Sequence, residues 1–340
     1  MRRTVVLMSL LLAGCIFIST DAIAGWTQAQ GHSYNQLTLS HYKTVEKFTT
    51  IKKYDAVENV SKSSEIKSIH SKPYKNKEEE FTATKLSYYM EYGLLDDLTF
   101  IFSGGFEYVR SNDILAQSGD DDDVHGVGDI ILGFRQKITN NLAGGPLSAQ
   151  LDIKVPEAYE YKNPVHYQSL GDGQYDALLK LKYGHGFSWG YAVLDAGYKR
   201  RFENNQLGDY SFKPSDTVVV SLSGGYNATP WLSIRGKLDW EKSTGNARVS
   251  DDFAVYAHDY GVLKDHDSAF MILDTLGLEK DSLTAGLALA FTVAKNMQIV
   301  ASYDWTFDGK GPCDECDFGK FGSSNSSIGE TFSLALAYSH

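Results

Sequence analysis

The sequence predicts an all-β fold, a transmembrane antiparallel up-and-down β-barrel of about 12 strands with a range of 10 to 14. Three observations predict it. Segments of roughly ten residues alternate apolar with polar, as residues 331–338 and 297–307 do. Successive segments meet alternately at a very short turn and at a long hydrophilic loop, the asymmetry of outer-membrane barrels. The chain opens on a basic start, Met1-Arg2-Arg3, followed by an apolar run and the small-residue stretch Ala22-Ile23-Ala24. That order reads as an export signal covering residues 1–24, so the barrel occupies residues 25–340.

The elements follow in order. A first strand at 34–43 leads into a polar segment rich in Lys, Ser and Glu at 49–80, which lacks a sustained period. A second strand at 82–92 turns tightly through Gly93-Leu94-Leu95-Asp96-Asp97 into a third at 98–110. The fourth, at 128–138, turns at 140–146 into the fifth, 147–155, and a long loop precedes the sixth at 175–185. The seventh lies at 191–202, the eighth at 217–227, the ninth at 231–242, the tenth at 282–293, the eleventh at 297–308 and the twelfth at 331–338. Residues 269–273 are a further strand or a loop element, which is why the range is wider than twelve. The count is even and both ends lie on the short-turn side, as a closed barrel requires. The loops near 49–80, 111–126, 156–174, 203–216, 243–280 and 309–330 are therefore expected outside the cell, and the short turns in the periplasm.

Composition suits this reading. No apolar run after the leader approaches the ~20 residues of a membrane helix. The mean hydropathy of -0.29 is what a barrel gives when lumen and loops dilute its lipid face. The 21 tyrosines and 31 glycines suit aromatic girdles and tight turns. A net charge of -11 argues against nucleic acid as a partner. The expected partners are outer-membrane lipid and lipopolysaccharide, the barrel-assembly machinery and a small-molecule solute, and the expected place is the outer membrane of a Gram-negative bacterium. A competing reading of the leader takes Leu12-Ala13-Gly14-Cys15 as a lipoprotein box, with Cys15 lipidated.

Alternation assigns the faces. The tenth strand puts Leu283, Leu287, Leu289, Phe291 and Val293 on one side, and the ninth puts Leu232, Ile234, Leu238 and Trp240 there. A charge on the lipid face at the midplane costs ~2–4 kcal/mol, so the opposite, charged face must line the lumen. The lumen-lining candidates are Lys85, Glu107, Arg135, Lys137, Asp152, Lys154, Lys180, Lys182, Asp195, Arg201, Arg235, Lys237, Asp239, Glu241 and Asp304. Two readings of them stay open. One is a charged eyelet, in which Arg135, Lys180, Lys182, Arg201, Arg235 and Lys237 attract anions. The other is a salt-bridged interior that fills the barrel.

Other constellations carry less. The run Asp120-Asp121-Asp122-Asp123 lacks the spacing and distal Glu of a calcium loop, so a solvated acidic loop is preferred. Cys313 and Cys316 have the spacing of a redox pair without its βαβ context, which favours a small disulfide in an exposed loop. They are too few for a zinc site, and no metal or cofactor is expected. His41 and His185 fall in strands, yet no serine pairs with either persuasively, so an enzyme is not expected.

Several segments carry a family resemblance. Gly25-Trp26-Thr27-Gln28 with Gly31, the turn Glu91-Tyr92-Gly93-Leu94-Leu95-Asp96-Asp97-Leu98-Thr99, and Gly126-Val127-Gly128-Asp129-Ile130-Ile131-Leu132-Gly133 resemble the Gram-negative outer-membrane family labelled meta-pathway phenol degradation proteins. The resemblance implies a barrel that passes small, often hydrophobic or aromatic, compounds. The chain departs from it in ending on His340 rather than an aromatic residue and in its long, lysine-rich segment 49–80. The leading expectation is a channel for passive uptake or efflux of small solutes. The alternative is a plugged structural or surface-interaction barrel acting through its external loops.

Overall fold

The computed structural model describes residues 26–47, 51–52, 68–69, 74–75, 81–111, 122–162, 169–245, 247–250, 252–253, 278, 280–309 and 327–340. The cysteines, residues 1–25, the segment 269–273 and most of 49–80 lie outside them.

Twelve long antiparallel strands form one closed barrel. They are β1 (Ser33–Lys47), β2 (Phe81–Leu95), β3 (Leu98–Ser111), β4 (Ile130–Leu142), β5 (Gly145–Val155) and β6 (Asp176–Phe187). The second half is β7 (Gly190–Arg201), β8 (Asp216–Thr229), β9 (Leu232–Thr244), β10 (Asp281–Ala294), β11 (Met297–Gly309) and β12 (Ser327–Ser339). Each strand pairs with its sequence neighbours, and β12 returns to β1 with Leu37 opposite Leu336 and His41 opposite Phe332. The terminal residue completes the seam, since His340 N donates to the Ser33 carbonyl at 2.9 Å. Closure leaves no edge of unpaired amides, which hydrocarbon would not tolerate.

The outer wall follows the expected parity. Leu179 and Leu287 are each 58% exposed, and Leu37, Leu86, Phe134, Leu222 and Leu334 form the same belt. Exposed apolar side chains on every strand make sense only in lipid. Aromatics gather at both rims. Phe187 and Trp189 stack 4.7 Å apart at the short-turn end, with Tyr226 and Trp231 nearby along the rim, and Tyr108, Tyr175, Tyr198 and Trp305 stand toward the long loops. The protein is thus an outer-membrane β-barrel of Gram-negative type.

The strands outrun the predicted ones toward the loops. Asp122–Val127, inside the segment expected to be loop, pairs with the upper part of β3, while the lower part of β3 pairs with β4. The ladder continues above the belt because backbone pairing does not depend on an apolar face. Similarly, Asn204–Leu207 and Tyr210–Lys213 form a hairpin that pairs with Arg248–Val249. Together with residues 156–162 and 169–175 it builds a cap over the β5–β10 side. The cap has its own core of Tyr161, Phe212, Ala247, Phe253 and Leu278, all buried. Gly173 is needed there: its φ is +71, and a Cβ would collide with Tyr161 and Asn204.

Candidate functional site: the barrel lumen

The lumen has three levels. At the upper rim, beneath the cap, Lys154 reaches Asp172 at 2.8 Å, Asp176 at 3.0 Å and Asp129 at 3.4 Å. Arg201 joins Asp172 at 3.5 Å and Asp176 at 3.8 Å. The loop is stitched down by Tyr159, whose hydroxyl donates to Asp129 at 2.7 Å and accepts from Gly173 N at 2.9 Å. The charges of Lys154 and Arg201 beside the half-exposed Asp172 carboxylate hold it well below the usual carboxylate range. Burial, with Asp129 beside it, pushes the Tyr159 phenol far above its ordinary value.

The middle level is a belt of ion pairs. Lys85 pairs with Glu107 and Lys182 with Asp195. Lys180 meets Asp152 at 2.8 Å, and Lys199 meets Glu241 at 2.5 Å. Lys237 lies 3.0 Å from Asp304 and 3.4 Å from Asp239. The hairpin register sets Lys85 opposite Glu107 and Lys182 opposite Asp195, and Lys180 reaches Asp152 on the adjacent β5, whereas Lys199–Glu241 and Lys237–Asp304 each reach across an intervening strand. The side chains of Lys237 and Asp239 are 42% and 41% exposed, so this part of the belt faces open space.

Toward the short-turn end the lumen holds a buried knot. Arg135 and Glu91 pair at 2.7 Å with side chains only 4% and 2% exposed. Arg135 Nε also donates to Gln150 Oε1 at 2.8 Å, and Gln150 donates on to Asp152 at 2.8 Å. Below this knot lies the stretch that precedes β1. Arg135 Nη1 donates to the Trp26 carbonyl at 2.9 Å, Gln28 N donates to Thr99 Oγ1 at 2.8 Å, and Gln28 Nε2 donates to Glu91 Oε2 at 2.9 Å. Glu91, Thr99 and Arg135 are inward residues, so residues 26–28 lie inside the wall across β2, β3 and β4. Gly186 on β6 faces the Trp26 indole. Gly31 N donates to the Gly93 carbonyl at 2.9 Å, and Gly93 N donates to the His32 carbonyl at 2.9 Å. The approach needs glycine at 93, because a Cβ there would strike the carbonyl of Ala29.

Of the sequence candidates, Lys137 stands apart. It joins Asp97 at 2.6 Å on the short-turn rim, where it anchors a turn. Arg235 also differs. It hydrogen-bonds Gln298 at 2.6 Å, and no ion pair links it to a carboxylate among the described residues. Sequence reasoning missed Trp26 and Gln28, which sit in an aperiodic stretch, and Asp172, which sits in a loop; only the flanking glycines Gly171 and Gly173 marked that point as tight. His41 is on the outer wall, where its Nδ1 lies 2.9 Å from Thr84 Oγ1. His185 stacks against Phe187 at 4.6 Å. Asp123 serves locally, 3.8 Å from Arg110 and accepting from the Tyr108 hydroxyl at 2.6 Å.

No protein-family model matches the chain, and no curated protein matches it. Solved structures do. An outer-membrane channel from Pseudomonas putida F1 is similar at a TM-score of 0.60 and 14% identity, over 94% of this chain and 99% of that one. This similarity shows the fold. The β domain of the Bordetella autotransporter BrkA matches at 0.43 and 12% identity, over 92% of this chain and 100% of that one. The Ralstonia pickettii toluene transporter TbuX matches at 0.39 and 11%, over 92% and 90%. The last two are too distant to bear on function.

Proposed function

We propose that the protein is an outer-membrane channel for the passive passage of small solutes, and that the described lumen is its closed state. The observation that carries this reading is the contrast between the two ends of the lumen. The middle level holds ion pairs of graded exposure, from the largely buried Lys182 pair to the open Lys237 and Asp239. Toward the floor lies a short segment that is not a barrel strand, held inside the wall by hydrogen bonds to Arg135, Thr99 and Glu91, and in this reading it is what closes the pore. A segment so held can leave without breaking the barrel. The shared fold with an outer-membrane channel supports the same reading. Near-complete pairing of the inward charges favours neutral solutes, small hydrophobic and aromatic compounds included, over ions in general. Transport by this route uses no catalytic group.

Residues 1–24 act in this reading as the export signal, and the cap and long loops face outward. Proteoliposome swelling tests the proposal. Liposomes carrying folded protein should swell faster than empty ones in small neutral solutes such as glycerol, and progressively less as solute size grows. Swelling at the empty-liposome rate would overturn it. The buried Arg135–Glu91 knot favours a second reading, a permanently plugged structural barrel. That reading predicts that deleting residues 26–30 leaves swelling unchanged.

A further inference from the structure

Among the inward cations of the described lumen, Arg235 is the exception. Lys85, Lys180, Lys182, Lys199 and Lys237 each have a carboxylate partner. No carboxylate among the described residues reaches Arg235. Its cross-strand neighbours are Gly225 on β8 and Ala288 on β10, neither of which carries a charge. Its Nη2 donates to Gln298 Oε1 at 2.6 Å, while its Nε is buried with no hydrogen-bond partner among the described residues. A guanidinium offers five N–H donors in a planar fork matched to a carboxylate. One neutral amide leaves most of that capacity, and the whole charge, unanswered. A cation half sunk in a low-dielectric wall without a counter-charge is costly unless something anionic comes to it.

The surroundings describe the visitor. Gln298, held by Thr292 Oγ1 at 3.4 Å, and the phenol-bearing ring of Tyr191, which occupies the space over Gly225, give the corner a polar side. Ala288 gives it an apolar one, continuous with the buried cluster of Ala290, Val300 and Ala335. We infer that Arg235 is an anion subsite in the lumen that takes the carboxylate of a small monocarboxylic acid, with the acid's apolar portion lying along Ala288. The inference deepens the channel reading by naming a favoured solute class, and it rests on that reading for its transport meaning alone.

Binding is measured without an open pore. Isothermal titration of folded, detergent-solubilised protein uses benzoate as the probe and benzamide, its neutral isostere, as the control. Wild type binds benzoate more tightly than benzamide, and added salt weakens only the former. Arg235→Gln lowers benzoate affinity at least about tenfold, since a charged hydrogen-bonded pair is lost. Arg235→Lys keeps the charge and retains a larger share of the affinity. Lys137→Gln, which removes a cation already neutralised by Asp97 on the short-turn rim, leaves benzoate binding within about threefold. Heat-modifiable gel migration confirms that each variant is folded. Equal benzoate affinity in wild type and Arg235→Gln, or no benzoate binding in wild type, would overturn the subsite. Benzoate binding by a barrel that shows no solute flux would overturn the channel instead and leave the subsite standing.

Discussion

At the scale of single residues, the lumen is governed by pairing rather than by charge count. Arg135 shows why. Its guanidinium is buried, and Glu91, Gln150 and the Trp26 carbonyl each accept one or more of its donors. Removing one member of such a pair strands the other in a dry site, at a cost of about 3–5 kcal/mol. Arg135→Gln is therefore expected to lower the unfolding free energy of the barrel, read from urea titration, by that order. Arg135→Gln combined with Glu91→Gln should recover part of the loss, since no unpaired charge remains. A single variant as stable as wild type would show that the knot is wet and adaptable. Lys237 makes the contrast. Its own side chain is about two-fifths exposed, so screening leaves its pairs worth only about 0–1 kcal/mol each, and Lys237→Gln should fold with nearly unchanged stability.

At the scale of elements, two segments govern access. Residues 26–32 cross the short-turn end, held by the contacts to Arg135, Thr99, Glu91 and Gly93. Deleting residues 26–30 while keeping the export signal and its cleavage site should raise single-channel conductance severalfold. The same conductance with and without the segment would mean that the floor is closed by the wall residues alone. The cap responds to acid. The Asp172 carboxylate is held well below its ordinary value by Lys154 and Arg201, so the folded cap binds that proton less readily than the unfolded chain does. Its contribution is complete above the ordinary carboxylate value of about 3.9 and is lost as pH falls further. Protection factors of the amides at residues 170–174, corrected for intrinsic exchange, should fall below about pH 4 in wild type. In Asp172→Asn that fall should be smaller. These two segments were also the least legible parts of the sequence. The strands were legible because a period of two is a geometric necessity of a wall with lipid outside and polar groups inside. Residues 26–32 and 169–175 have no period, and what fixes them is a contact to distant inward side chains that only the closed barrel brings near.

At the scale of the whole molecule, parity placed the candidate lumen residues, yet their partners were hidden. Whether Lys182 is a free cation or half of a neutral pair depends on the register that sets it opposite Asp195. The hydrophobic pattern fixes which face a residue takes, while the turns fix its opposite number. Arg235 likewise looked like Lys237 in sequence and differs from it in the barrel, where Asp304 and Asp239 reach Lys237 and Gln298 reaches Arg235. Orientation is a separate prediction. With Cys313 and Cys316 replaced, a cysteine at Asp209, exposed in the cap hairpin, should label on intact cells with a membrane-impermeant maleimide. One at Asn141, exposed in the β4–β5 turn, should label only after the outer membrane is permeabilised. The reverse pattern would invert the barrel.

The central claim, that this barrel passes small solutes, is tested most directly by single-channel recording in planar lipid bilayers with protein shown to be folded by heat-modifiable migration. The lumen described above predicts small, discrete conductance steps that are infrequent in wild type, as expected of a pore whose floor must open. A folded, inserted barrel that gives no steps at any applied voltage, with or without residues 26–30, would contradict it.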